Sequence, residues 1–331
     1  MLRILHGTKY DFIKSWRIAV GITVAFIASG LIFLAIHGIN QSIEFTGGTL
    51  MQVQFAQAPN VGDVRATVDA AGYQGSEIQE FGTPRDFTIR AAGHTANTGV
   101  EAVARDIEGA LHKKFGPTEP KVVRTEIIGA RVGSELKRDA TIAILISLVV
   151  TLLYLAFRFE WRFGIAAVLA TAHDLLSTLA FLAIMRLEVS LTVVAALLTV
   201  IGYSLNDTII IFDRVRENLK KARPEPLYDV LNRSINETLP RSILTHLTVA
   251  AATLSLLIFA GEVLRPFSWI MLFGIVTGTF SSVYVAGPIL LWIERKWPRT
   301  RGDSRGAPVQ TPAAPPRGTS SRPPVAARTT R

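Results

Sequence analysis

Six stretches of this chain are apolar for long enough to cross a bilayer, which takes roughly 20 helical residues. They cover residues 18–36, 140–157, 163–185, 189–212, 243–260 and 267–293. A buried helix of a soluble protein rarely reaches this length without a polar stripe. The expected fold class is therefore a polytopic α-helical membrane protein with six transmembrane helices.

The formal charge of +9 is concentrated at one end of the chain. From Arg295 onward there are nine Lys or Arg and one acid, Asp303, so this segment carries +8 and the remainder is nearly balanced. That distribution argues against a nucleic-acid partner. With no cysteine in the chain, disulfides, thiolate metal sites and cysteine nucleophiles are excluded. Basic residues accumulate on the cytoplasmic side of short loops. Arg3, Lys9, Lys14 and Arg17 precede the first stretch, and Arg158 and Arg162 follow the second. Arg214, Arg216, Lys220, Lys221, Arg223, Arg233 and Arg241 follow the fourth, whereas the opposite loops carry little charge. Both termini are expected in the cytoplasm of a bacterial inner-membrane protein. A cleaved signal peptide is the other reading of the first stretch. It is longer than the roughly 7–15 residues of such peptides, and Ala35-Ile36-His37 does not complete a cleavage site. A retained anchor is expected.

The expected division is a cytoplasmic N-terminus over 1–17, a first membrane helix over 18–37 and a periplasmic α+β domain over 38–138. A five-helix bundle over 139–293 and a disordered basic cytoplasmic tail over 294–331 follow. In the soluble segment, residues 49–55 alternate as a strand does, and 61–71 suit a helix capped by Asn60. Two strands over 77–81 and 86–91 flank a Gly-Thr-Pro turn, 98–115 has helical periodicity, and 121–127 closes the set. The order β-α-β-β-α-β is the ferredoxin-like split unit, which by itself indicates no function. His94 and His112 are read as solvated. Gly47-Gly48 suits a tight turn where the chain leaves the bilayer. Leu227, Val230, Leu231 and Ile235 suggest a short helix on the inner membrane surface. Small residues, among them Gly164, Ala166, Ala170, Gly202, Gly274 and Gly278, allow close helix packing.

Ionisable groups within spans are expensive and therefore point to function. Asp207 lies inside the fourth stretch. Asp213, about 9 Å further along the axis at 1.5 Å per residue, can reach headgroups beside Arg214 and Arg216. Asp207 must face other helices or water, where it can bind and release a proton; a structural hydrogen bond is the alternative. His173-Asp174 sits mid-span in the third helix. It either extends a proton path or pins the third helix to the fourth. Arg241 follows Pro240, and proline favours the first turn of a helix. Arg241 is thus expected to open the fifth helix, either as a partner for Asp207 or as an ordinary positive-inside residue. His246 is a weaker candidate. No metal site, cofactor or catalytic constellation is expected, and the chain does not read as an enzyme.

The run IGYSLNDTIIIFDRVREN over 201–218 closely resembles the fourth-helix signature of the bacterial SecF family, which belongs with SecD to a group related to RND transporters. Phe45-Thr46-Gly47-Gly48, Gly129-Ala130-Arg131-Val132-Gly133, His173-Asp174 and residues 236–245 are similar in the expected order. The resemblance spans about residues 10–297. It implies association with SecD and the SecYEG channel, often with YajC, and action on translocating preproteins. It also implies use of the proton motive force in late steps of export. The family's transmembrane Asn-Asp pair maps onto Asn206 and Asp207, and its functional arginine onto Arg241. Gly202, Asp213 and Arg214 are motif positions of the same run. The chain departs from the family pattern at Glu44, Ala130, Pro240 and His246, the last standing where a small polar residue is usual. Two rivals remain: half of an RND-type proton-coupled small-molecule transporter, and a scaffold without proton chemistry.

Overall fold

The computed structural model describes residues 8–91, 100–221 and 225–297. After a short 3₁₀ turn, α1 (Trp16–His37) leads into α2 (Ile43–Thr46). Then come β1 (Gly48–Gln54), α3 (Val61–Ala70), β2 (Glu77–Phe81), β3 (Thr83–Ala91), α4 (Val100–Phe115) and β4 (Lys121–Ile128). The helices α5 (Ala130–Arg158), α6 (Trp161–Ile184), α7 (Leu191–Lys221) and α8 (Leu227–Phe259) follow. The last span is α9 (Arg265–Ser281), a π-helical turn (Ser282–Ala286) and α10 (Gly287–Lys296). Among the described residues, six helical runs are long and apolar enough to cross a membrane: α1, α5, α6, α7, α8 and the run from α9 to α10.

The strands form one antiparallel sheet in the order β2-β3-β1-β4. Alternation along β1 turns Met51 and Val53 inward, where they meet Phe87 and Ile89 of β3. Val64 and Val68 of α3 and Val103, Ile107 and Leu111 of α4 complete this core. Asn60 starts α3 by accepting from the Gly62 amide at 2.8 Å. The opposite sheet face carries Gln52, Glu77, Thr88 and Arg90, and with the α6–α7 loop it borders a cavity of about 340 Å³. There the Arg90 guanidinium binds both Glu77 and Glu188 at 2.6 Å, tying the sheet to the loop.

In the bundle, α6, α7 and the final span are the most deeply packed; α1, α5 and α8 flank them with largely exposed apolar faces. Glycines set the closest approaches. A Cβ on Gly30 of α1 would lie 2.5 Å from the Ala180 Cα of α6. On Gly274 of α9 it would lie 2.3 Å from a methyl of Val200 of α7. Gly47 has φ of 72°, and a Cβ there would meet the Ala130 Cα at 2.7 Å. The Gly47-Gly48 turn is thus pressed against the first turn of α5.

Several expectations change. Residues 130–138, assigned to the soluble segment, begin α5. Pro240 lies inside α8 and does not start it. Proline forfeits one backbone hydrogen bond, and membrane helices tolerate that loss when neighbours compensate. The expected surface helix is therefore the first part of α8. Its Val230, Leu231 and Ile235 are buried with residues of α6, α7 and α10, so tertiary burial holds it in line. His112 is half-buried, and its Nδ1 lies 3.2 Å from the Glu119 carbonyl. Arg3, His94, Arg223 and the segment beyond Trp297 lie outside the described residues.

Two predictions follow from these contacts. Gly30→Ala forces backbone apart at α1–α6 and costs about 1–3 kcal/mol, whereas Gly202→Ala, with nothing within 4 Å of the added methyl, leaves stability unchanged. Thermal unfolding in lipid nanodiscs distinguishes them, and equal midpoints would refute the close approach. Burial raises the Glu188 carboxyl above its ordinary value, Arg90 opposes that shift, and Glu77 and Glu44 add to it. The folded state holds this proton more tightly than the unfolded one, so the contribution is present at acid pH and is lost as pH rises through the raised titration point. Glu188→Gln should flatten the pH dependence of the melting midpoint above the ordinary glutamate range; an unchanged profile would contradict this.

Candidate functional site

A carboxylate inside a span needs donors from its neighbours or a proton of its own. Asp207 is 3% exposed on α7. Its Oδ1 accepts a hydrogen bond from the Ser242 hydroxyl of α8. Its Oδ2 is buried without a hydrogen-bond partner among the described residues. Ser242 and His246 are one helical turn apart and share the buried face of α8. The His246 Nδ1 lies 2.8 Å from the Thr279 hydroxyl of α9. The Tyr203 ring of α7 lies against the imidazole at 5.2 Å between centroids, and its hydroxyl donates to the Thr245 carbonyl at 3.1 Å. Asp207 and His246 are thus bracketed by Ser242 and Tyr203 and lie about one helical turn apart.

A second carboxylate lies beside this group. Asp174 of α6 is 1% exposed. Its Oδ2 accepts from Ser281 at 2.6 Å and from Ser204 of α7, and its Oδ1 lies 3.0 Å from the His173 Nδ1. The His173 Nε2 and the Ser177 hydroxyl are buried without partners among the described residues. The π-helical turn begins beside Ser281 and lets consecutive serines both face inward. Ser281 reaches Asp174, while Ser282 lies 2.9 Å from the Thr208 hydroxyl. Such turns re-aim side chains within otherwise α-helical spans. A polar band thus crosses the bundle from α6 through α7 to α8 and α9.

The sequence-based partner for Asp207 is not found here. Arg241 is exposed and makes no ion pair with Asp207 among the described residues. Because α8 runs unbroken through Pro240, the 100° step between residues turns Ser242 inward and Arg241 outward. The same step puts Asn206 and Gly202 on the exposed side of α7 while Asp207 and Ser204 face the core. Asp213 pairs with Arg158 at 2.6 Å and more loosely with Arg216 at 3.7 Å. Arg214 binds Glu237 and Glu217 at 2.6 and 2.7 Å. Gly47 and Gly48 lie at the start of the sheet, away from the polar band. Sequence reasoning missed Ser204, Ser242, Thr279 and Ser281 and ranked His246 too low. The available signal was the helical spacing of Ser242 with His246 and of Ser204 with Thr208. Among the described residues no cluster of three or more His, Asp or Glu is arranged to hold a metal ion.

Comparison with known proteins places this geometry in context. The family model for the C-terminal region of SecD/SecF protein export membrane proteins matches residues 108–296, and the SecD/SecF GG motif matches 32–59. The chain is 60% identical to the protein translocase subunit SecF of Gemmatimonas aurantiaca, covering 90% of this chain and 91% of that one. It is 38% identical to the SecF subunit of Vibrio alginolyticus, covering 88% and 92%. Among solved structures it is similar to SecDF of Thermus thermophilus, described as translocon-associated, with a TM-score of 0.78, 33% identity and 89% of this chain covered. A SecDF in a super-membrane-facing form gives a TM-score of 0.65 at 35% identity over 88% of this chain. The chain spans about 40% of the length of each of these SecDF chains.

The Asp174 hub yields a stability prediction. Asp174→Ala strands two buried serine hydroxyls and should cost about 1–3 kcal/mol. Asp174→Asn retains an acceptor oxygen and should cost less. Reversible unfolding in mixed micelles gives both values, and a neutral Asp174→Ala would show that the hub does not brace the helices.

Proposed function

The chain belongs to the SecF family of protein translocase subunits, and from that membership we propose that it is the SecF half of a SecD/SecF assembly that uses the proton gradient to promote late steps of protein export. The observation carrying this reading is Asp207, a carboxylate buried mid-span with one oxygen satisfied by Ser242 and the other unpartnered among the described residues. A group so placed is held between two protonation states, and its change of charge alters the packing of α7 against α8. Asp174 and His173 extend the proton path on the α6 side.

The exposed polar residues fit a partner within the membrane. Ala195, Thr199, Gly202 and Asn206 form one exposed stripe on α7, and Arg241, Thr245 and Thr248 form another on α8. Polar side chains at membrane depth face protein or water far more often than lipid, and small residues let helices approach. A SecD-type bundle against these stripes gives Asn206 and Arg241 their partners and completes the proton path from the other side. SecYEG and YajC are the further associates in this reading, and translocating preproteins the substrate.

The remaining assignments belong to the same proposal. The N-terminus up to residue 17 and the tail from 294 are cytoplasmic, residue 18 begins the first span, and the segment from 38 up to the start of α5 is periplasmic. That domain is of the ferredoxin-like type, supported by its β-α-β-β-α-β order and its β2-β3-β1-β4 sheet, and its work is docking and not catalysis. Each proton contributes about 2.3 kcal/mol per 100 mV, so one exported protein needs several cycles.

Inverted membrane vesicles containing the full translocase test the reading. Asp207→Asn should assemble normally and lose the gradient-driven part of preprotein translocation. Full stimulation by that variant would end it.

A further inference from the structure

Arg241 stands outside the Asp207 site in this chain, yet a base lies one helical turn from the serine that donates to the carboxylate. His246 is buried on the same face of α8 as Ser242, the residue that donates to Asp207. Its orientation follows from proton counting. Thr279 has one hydroxyl proton, and it is given to the Ile275 carbonyl at 2.8 Å. Toward the His246 Nδ1, also at 2.8 Å, the Thr279 oxygen therefore acts as acceptor. With the Thr279 proton on the Ile275 carbonyl, a neutral imidazole carries its proton on Nδ1 and leaves Nε2 as a bare base. Ser242 likewise spends its single proton on the Asp207 Oδ1, leaving Oδ2 without a donor among the described residues. The site thus offers two acceptors, a carboxylate oxygen and an imidazole nitrogen, and no proton for either.

We propose that His246 is the proton-exchange partner of Asp207 in this chain, at the position of influence that the family resemblance assigns to Arg241. The proposal rests on the reading of Asp207 as the proton-carrying group. The net step balances across the one helical turn between them: the Asp207 carboxyl gives up its proton and becomes a carboxylate while the His246 Nε2 becomes protonated, and the pair keeps its total charge. Thr279 is a positioning residue, since it sets the tautomer without touching the transferred proton. Among the described residues, the titratable groups around His246 are the Tyr203 phenol of α7, against its ring, and Asp207, one turn away beside Ser242; α9 contributes the Thr279 hydroxyl, and Arg241 on the same helix is turned outward. Unlike a fixed arginine, an imidazole gains and loses charge between about pH 5 and 8. Export driven through this pair therefore carries a pH dependence that a purely structural histidine would not produce.

Vesicles with the complete translocase, containing wild type, H246Q, T279V or D207N, supply the test. H246Q should co-purify with its SecD-type partner at wild-type yield, lose about tenfold or more of the gradient-driven stimulation, and show a flat response across about pH 5–8, where wild type varies. T279V should retain the imidazole and show an intermediate loss. Nitrogen-15 magnetic resonance of labelled histidine in the wild-type assembly gives a readout independent of export: neutral His246 should carry its proton on Nδ1. A neutral wild-type ring protonated on Nε2 overturns the proposal, whether or not H246Q assembles. Wild-type stimulation and pH profile in H246Q, alongside loss in D207N, also overturn it and leave the reading of Asp207 standing. Full stimulation in D207N removes both.

Discussion

The rotation of α7 about its own axis is the constraint on which the rest of the bundle depends, and Asp174 fixes it. The Oδ2 of this carboxylate on α6 accepts from Ser204 on α7 and from Ser281 at the end of α9, so three central spans meet at one oxygen. An acceptor this deeply buried is costly to leave unfilled, so the three helices cannot rotate independently. Gly274 and Gly278 admit Val200 and Ser204 on the neighbouring turns, so steric fit and hydrogen bonding select the same register.

With Ser204 inward, the 100° step decides the role of each residue that follows. Asp207 is three positions on and remains in the core; Asn206 and Gly202 are carried to the outside. Adjacent residues of the 201–218 run therefore serve opposite sides of the helix. The core-facing side carries the buried carboxylate, and the other side carries polar and small groups. The same division recurs on α8 between Ser242 and Arg241. A continuous helix through Pro240 makes it possible, because a break there would have freed Arg241 to turn toward Asp207.

That division also explains what was legible in the sequence. Long apolar runs have no soluble alternative, so the spans were readable, and the strand and helix alternation over 49–127 was strong enough to place each element of the sheet within a few residues. Asp207, Asp174 and His173 were readable because charge in a span is expensive. Their partners were not. Serine and threonine are cheap in a membrane helix and occur on all faces, so nothing in Ser204, Ser242, Thr279 or Ser281 marks them before the helices are packed. Arg241 is misleading for the converse reason: its charge marks it as a partner and Pro240 reads as a helix start, whereas burial of Val230, Leu231 and Ile235 extends α8 well before it.

The N-terminal end of α7 is held as firmly as its middle. The Glu44 carboxylate, two residues before the Thr46-Gly47-Gly48 turn, accepts from the Leu191 amide at 2.5 Å and caps the first turn of α7, where a negative charge also suits the helix dipole. Ser42 and Asn40 continue the attachment through backbone bonds with Val189 at 2.9 and 2.8 Å. The turn that follows Glu44 is pressed against Ala130 at the head of α5 and runs directly into β1, the central strand joining β3 to β4. The helix carrying Asp207 is therefore bonded end-on to the segment that enters the sheet, with no flexible linker between them. A displacement of α7 along its axis must either break the Glu44 cap or move the root of β1. Glu44 retains the acid required for this cap although the family often has aspartate there. The carboxylate at the head of α7 and the glycines behind it form one device that connects the buried charge to the sheet domain.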